Sequence, residues 1–124
     1  MASPNIVGLG TILGLTTATN LANSNETVFL DAVASTNSVF KINNIIVANT
    51  TSTTVNATIS FRSASGGGGT AYKLANSTPI AAYSTLVVID KATAIYLEEN
   101  KSLTATSSSA SGFLTIVASY EVIR

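Results

Sequence analysis

Residues 54–62 read TVNATISFR, and the fold class turns on this stretch. Val55, Ala57, Ile59 and Phe61 share one side of an extended chain, and Asn56, Thr58, Ser60 and Arg62 share the other. A period of two is the signature of a half-buried strand, because successive side chains point to opposite faces. The pattern then repeats outward in both directions. Residues 38–49, SVFKINNIIVAN, are rich in Val, Ile and Phe. From residue 112 to 122 the alternation returns, with Leu114, Ile116, Ala118, Tyr120 and Val122 on one side. Residues 85–89, TLVVI, form an unbroken apolar run, which suits a strand covered on both faces.

Turn residues punctuate these runs. Gly66, Gly67, Gly68 and Gly69 separate Phe61-Arg62 from Ala71-Tyr72-Lys73-Leu74 and read as a flexible hairpin connection. Pro79 marks a turn or a sheet edge. Glu98-Glu99-Asn100-Lys101 reads as a solvated turn joining Ile95-Tyr96-Leu97 to Leu103-Thr104-Ala105. No stretch sustains a 3.6-residue period, and Thr, Ser, Val and Asn favour strands and turns. The expected fold is all-β: an antiparallel β-sandwich, jelly-roll or Ig-like, of about seven or eight strands. Its expected core includes Val55, Ile59, Phe61, Leu86, Val88, Leu114, Ile116 and Tyr120.

The N-terminal stretch behaves differently. Residues 4–22, PNIVGLGTILGLTTATNLA, carry apolar side chains without a clean period, among them Gly8, Gly10 and Gly14. This divides the chain into an extended arm over residues 1–22, with room for a first strand at its end, and a sandwich over residues 23–124. Left exposed, Ile6, Val7, Leu9, Ile12, Leu13 and Leu15 would present a large apolar surface, so they must lie on this chain's own sheet or on a neighbour's, and they are the expected interface residues. Such arms complete a neighbour's sheet by adding a strand.

Composition narrows the function. The chain has 124 residues, one domain by length, with 10% charged residues against about 25% in ordinary soluble proteins. Hydrophobic residues make up 46%, and mean hydropathy is +0.42. A surface poor in charge and rich in apolar side chains implies cover by neighbouring chains. Net charge is zero, so no basic patch is available for phosphates, and neither nucleic acid nor a membrane surface is an expected partner. There is no cysteine and no histidine, which removes disulfides, thiol metal sites and the commonest general base. The N-terminus lacks the basic and apolar regions of a secretion signal.

Candidate chemistry is sparse. The carboxylates are Glu26, Asp31, Asp90, Glu98, Glu99 and Glu121, and only Glu98-Glu99 is a tight pair. Neighbours on a strand point to opposite faces, which disfavours a catalytic dyad there. A weak calcium site at Glu98, Glu99 and Asn100 is the minor alternative. The glycines from Gly8 to Gly14 imitate a dinucleotide fingerprint, yet too little chain precedes them for a βαβ unit. The later glycine run lacks the lysine of a phosphate loop. Asn-x-Ser/Thr sequons at Asn25, Asn49, Asn56, Asn76 and Asn100 follow from a composition rich in Asn, Ser and Thr. No enzyme activity, catalytic residue, metal or cofactor is expected.

Several phrases carry a resemblance: Thr78-Pro79-Ile80, Ser84 through Ile89, Ala94 through Leu103, and Ala118-Ser119-Tyr120-Glu121, with Phe40 through Asn49 upstream. Over residues 38–123 the chain resembles small virion structural proteins of tailed bacteriophages, particularly those infecting marine cyanobacteria. In such phrases the turn after Tyr96-Leu97 usually carries a glycine. Asn100 stands in that place here, and Asn also tolerates the left-handed conformation. The resemblance implies a location in the virion and does not choose a place in it. The leading expectation is a capsid decoration or cement protein, because such proteins are small, β-rich, present in many copies and attach through arms and apolar patches. Its partners would be other virion proteins (the major capsid protein, or neck and tail proteins) and further copies of itself. A neck, tail, baseplate or fibre component is the alternative in the same class. A carbohydrate-binding β-sandwich is the alternative of another class. The absence of Trp and the placing of Phe and Tyr in strand patterns favour core use of the aromatics over sugar stacking.

Overall fold

A computed structural model describes residues 10–21, 24–33, 37–109 and 114–124. Among the described residues, nine strands follow in chain order: β1 (Ile12–Leu21), β2 (Thr27–Ala32), β3 (Val39–Asn49), β4 (Val55–Arg62), β5 (Ala71–Ile80), β6 (Thr85–Ile89), β7 (Ile95–Leu97), β8 (Lys101–Ser107) and β9 (Leu114–Ile123). They form two antiparallel sheets packed face to face, one ordered β1-β9-β3-β6 with β7 also on β3, the other β2-β8-β4-β5.

The short β7 continues the line of β6. Both run antiparallel to β3 on the same edge, β6 against Ile45 to Ala48 and β7 against Phe40 to Ile42. A one-turn 3-10 segment, Lys91–Thr93, interrupts them, capped by Asp90, whose carboxylate accepts from the N–H groups of Ala92 (3.0 Å) and Thr93 (3.1 Å). With β6 and β7 counted as one broken strand, the pairings nest. β4 pairs with β5, β3 with β6, β2 with β8, and β1 with β9. The chain is thus a long double-stranded ribbon rolled on itself and closed by β3–β9 and β4–β8 pairing. This is the jelly-roll arrangement of an all-β double sheet.

The inward faces supply the core. Val55, Ile59, Leu114 and Ile116 are buried as expected, and Phe61, Leu86, Val88 and Tyr120 are half-buried against the same cluster. Residues 85–89 depart from expectation. β6 lies at a sheet edge, so its faces alternate and Val87 is 55% exposed; the run is apolar without being covered on both sides. Pro79 sits on the other sheet's edge strand, β5, where a missing N–H costs no ladder bond.

The glycine run is not a free connection. Residues 65–67 form a 3-10 turn folded onto the outer face of the β2-β8-β4-β5 sheet. There the Gly66 N–H donates to Asp31 Oδ1 (3.0 Å) and the Gly67 N–H to Ser102 Oγ (3.0 Å). Gly69 has φ of +70°, and a Cβ there would stand 2.2 Å from Ser63 Oγ. Glycine is required for this close approach and backbone angle, and flexibility is not its use here.

Candidate interaction surface

Of the expected interface residues, Ile12, Leu13 and Leu15 lie in β1, while Ile6, Val7 and Leu9 lie outside the described residues. Ten residues assigned to the arm form a strand of the chain's own sheet, paired to β9 from Ile12↔Ile123 to Leu21↔Leu114 without a shift. The reason is local: Thr16, Thr17 and Thr19 fit a pleated surface, and β9 offers a matching row.

The two ends of β1 differ. Directly paired residues share a face, so Leu13, Leu15, Thr17, Thr19 and Leu21 lie on the side of Val122, Tyr120, Ala118, Ile116 and Leu114. Leu21 is buried, but Leu15 is 45% exposed and Leu13 is 41% exposed. Ile12, on the opposite face, is 59% exposed. Covering what remains exposed of each leucine would contribute about 1 kcal/mol.

Among the described residues, β1 pairs only with β9, which leaves the other side of its backbone without a strand. The Thr11 N–H donates to the Arg124 carbonyl (3.0 Å) and the Arg124 N–H to the Thr11 carbonyl (3.1 Å). In an antiparallel ladder such reciprocal pairs alternate with pairs that share no bond. The register is unbroken, so odd-numbered residues of β1 turn their backbone groups to β9. Ile12, Gly14, Thr16, Ala18 and Asn20 therefore turn theirs to the free edge. From Ile12 to Leu21 the strand holds neither a charge nor a proline. Protected edges usually carry charge, proline, bulges or shortness, and β1 has none of these.

A charged cluster lies elsewhere, on the outer face of the other sheet. Arg62 Nε donates to Glu26 Oε2 (2.9 Å), its Nη2 forms an ion pair with Glu26 Oε1, and the Thr104 hydroxyl donates to Glu26 Oε2. The hydrogen bond from Arg62, then that from Thr104, holds the Glu26 carboxyl below its ordinary pKa. An ionised carboxylate saturated in this way is a weak base, and the cluster ties β4 and β8 to the chain ahead of β2. Lys73 Nζ donates to Ser60 Oγ (3.3 Å) nearby.

The turn at residues 98–101 departs from the expected solvated turn. It carries the chain from one sheet to the other, so it is not a solvated hairpin tip. Glu98 is exposed, whereas Glu99 is buried and accepts the Ser38 N–H on Oε1 (3.2 Å). Glu98 and Glu99 point apart, and no group of three or more acidic side chains is gathered for a metal among the described residues. Asn100 has φ of +62°, the left-handed conformation its position requires.

Two further expectations shift. Asn49, read as part of a chance sequon, is buried and structural. Its Nδ2 donates to the carbonyls of Thr53 (2.8 Å) and Ile80 (2.9 Å), and its Oδ1 accepts the Thr51 N–H (2.9 Å). The aromatics are less uniformly internal than expected. Phe29 is buried, and Phe40 stacks on Tyr120 at 5.3 Å, but Tyr72, Tyr83 and Tyr96 are exposed. These three do not form one platform. Tyr72 lies near the start of β5 and Tyr83 beyond its end, about 20 Å apart at the rise of the partner residues Phe61 to Val55, and Tyr96 belongs to the other sheet.

No protein-family model matches the chain, and the comparison with curated proteins finds no match either.

Proposed function

We propose that the protein is a structural subunit of a virus particle, of the capsid decoration or cement type, joined to neighbouring chains through the free edge of β1. One observation carries the assembly role: a ten-residue edge strand free of charge and proline, with Ile12, Leu13 and Leu15 exposed beside it. Low overall charge supports the same reading, because a surface covered by neighbours needs little charge to stay soluble. Support for the particle comes from the phage-like phrases in the sequence. The jelly roll adds an analogy only, since capsid proteins, lectins and cupins all use it. A sugar-binding role gains no support from tyrosines that stand apart.

The test uses particles produced with the wild-type chain or with a Leu13→Ser/Leu15→Ser chain. Wild-type chain is expected as regular density on the purified particle by cryo-electron microscopy. The double variant is expected to fold, shown by an unchanged strand spectrum, and to lose at least about tenfold in occupancy, the two leucines together being worth some 2 kcal/mol. Equal occupancy for a folded double variant overturns the role of β1. Absence of the wild-type chain from particles overturns the virion reading.

A further inference from the structure

We infer that the occupant of the β1 edge is β1 of a second copy, paired antiparallel across a two-fold axis at Thr16. The inference rests on the proposed assembly role of this strand and specifies its partner.

Self-pairing sets a demand that a general partner does not. Around a two-fold axis each side chain near the centre meets its own copy, so any charge there faces a like charge. β1 carries no charge over its whole length, and no proline removes an edge N–H. Such a pair also closes: both open edges are consumed, and no further copy can add at that edge.

Hydrogen-bond parity selects the register. The open-edge residues are Ile12, Gly14, Thr16, Ala18 and Asn20, as the Thr11–Arg124 pair and the unbroken register require. Centring on Thr16 sets Thr16 against Thr16 of the second copy, Gly14 against its Ala18, and Ile12 against its Asn20. Every open N–H and C=O then has a partner, giving on the order of ten backbone hydrogen bonds. Any other centre leaves groups at the strand ends unmatched. The side chains agree. Gly14 and Ala18 are small, and the Thr16 pair is β-branched. On the other face Leu15 stands opposite Thr17 of the second copy and Leu13 opposite its Thr19, which covers leucines that β9 leaves exposed. The product is one sheet running through both copies.

The chain has no cysteine, so single cysteines report without background. Thr16→Cys places two thiols across the axis with Cα atoms about 5.5 Å apart, inside disulfide range. Ala18→Cys places them about 13 Å apart, beyond it. Mild oxidation is expected to convert most of the Thr16→Cys chain to a covalent dimer and under a tenth of the Ala18→Cys chain. Light scattering on the wild type should give twice the 12.7 kDa chain mass. A folded Thr16→Lys chain should associate at least tenfold more weakly. A monomeric wild type without Thr16→Cys cross-linking overturns the inference, and a dimer that cross-links faster through Ala18→Cys overturns the register. Particle occupancy separates the two levels. If the wild type is monomeric but Thr16→Lys still lowers occupancy, another chain fills the edge and the assembly role stands. If Thr16→Lys leaves occupancy unchanged, the assembly role fails as well.

Discussion

β1 and β5 are both ten-residue strands at sheet edges, and both leave large apolar side chains in view. β1 exposes Ile12, Leu13 and Leu15, and β5 exposes Tyr72 and Leu74. Side-chain exposure therefore does not separate them, but the backbone does. Along β5 the register with β4 shifts between Ala57 and Ile59 and again between Ile59 and Ser60. Ser77 has φ of +47°, its N–H is taken by Thr58 Oγ1 (2.9 Å), and Lys73 and Pro79 complete the defences. An incoming strand would meet a kink, a cation and a missing donor. Along β1 it would meet a straight ladder. An open edge is a liability unless it is blocked or used; β5 is blocked, and β1 carries no block.

The largest expected effect tests whether β1 belongs to the fold at one end and to the interface at the other. Leu21→Ala removes a buried side chain and should lower unfolding free energy by about 2–5 kcal/mol in urea titrations. Leu13→Ala should cost less than about 1 kcal/mol, because much of that side chain already lies in water. Equal losses would make β1 a core strand throughout and leave the exposed end without special meaning.

A second experiment removes the blocks from β5. Lys73→Thr with Pro79→Val should change stability by no more than about 1 kcal/mol, yet produce new concentration-dependent association in sedimentation velocity. Unchanged sedimentation would mean that the kink at Ser77 suffices. The smallest effect is one of pH. Glu26 has its pKa lowered from 4.5 by Arg62 and then Thr104, so the folded state favours its ionised form. Its contribution to stability is full above that ordinary value and is lost as pH falls through the lowered one. Glu26→Gln should flatten that acid limb of a melting-temperature profile, and a limb of unchanged slope would assign the effect to other carboxylates.

Period-two alternation in residues 54–62 and 114–122 made the all-β class and part of the core legible, because which face a side chain occupies on a strand is set by its immediate neighbours. Pro79 and Asn100 were legible for the same reason: each restricts or permits a backbone angle at its own position. Among the arm residues, the apolar character of Ile12, Leu13 and Leu15 was legible, and with it their need for cover from this chain's sheet or a neighbour's; that their strand lies on β9 was not readable. The β1–β9 pair joins positions as far apart as Thr16 and Ser119, and nothing in either segment names the other. The same limit applies to Val87, apolar in sequence but at an edge, to Glu99, charged but buried where the chain crosses between sheets, and to the glycines pinned by Asp31 and Ser102. By itself, the sequence determined which residues can form strands and which sides of them must leave water. Only the tertiary structure decided the nesting of the strands, and with it which edge is blocked and which is open, because edges arise from long-range pairing and have no local pattern.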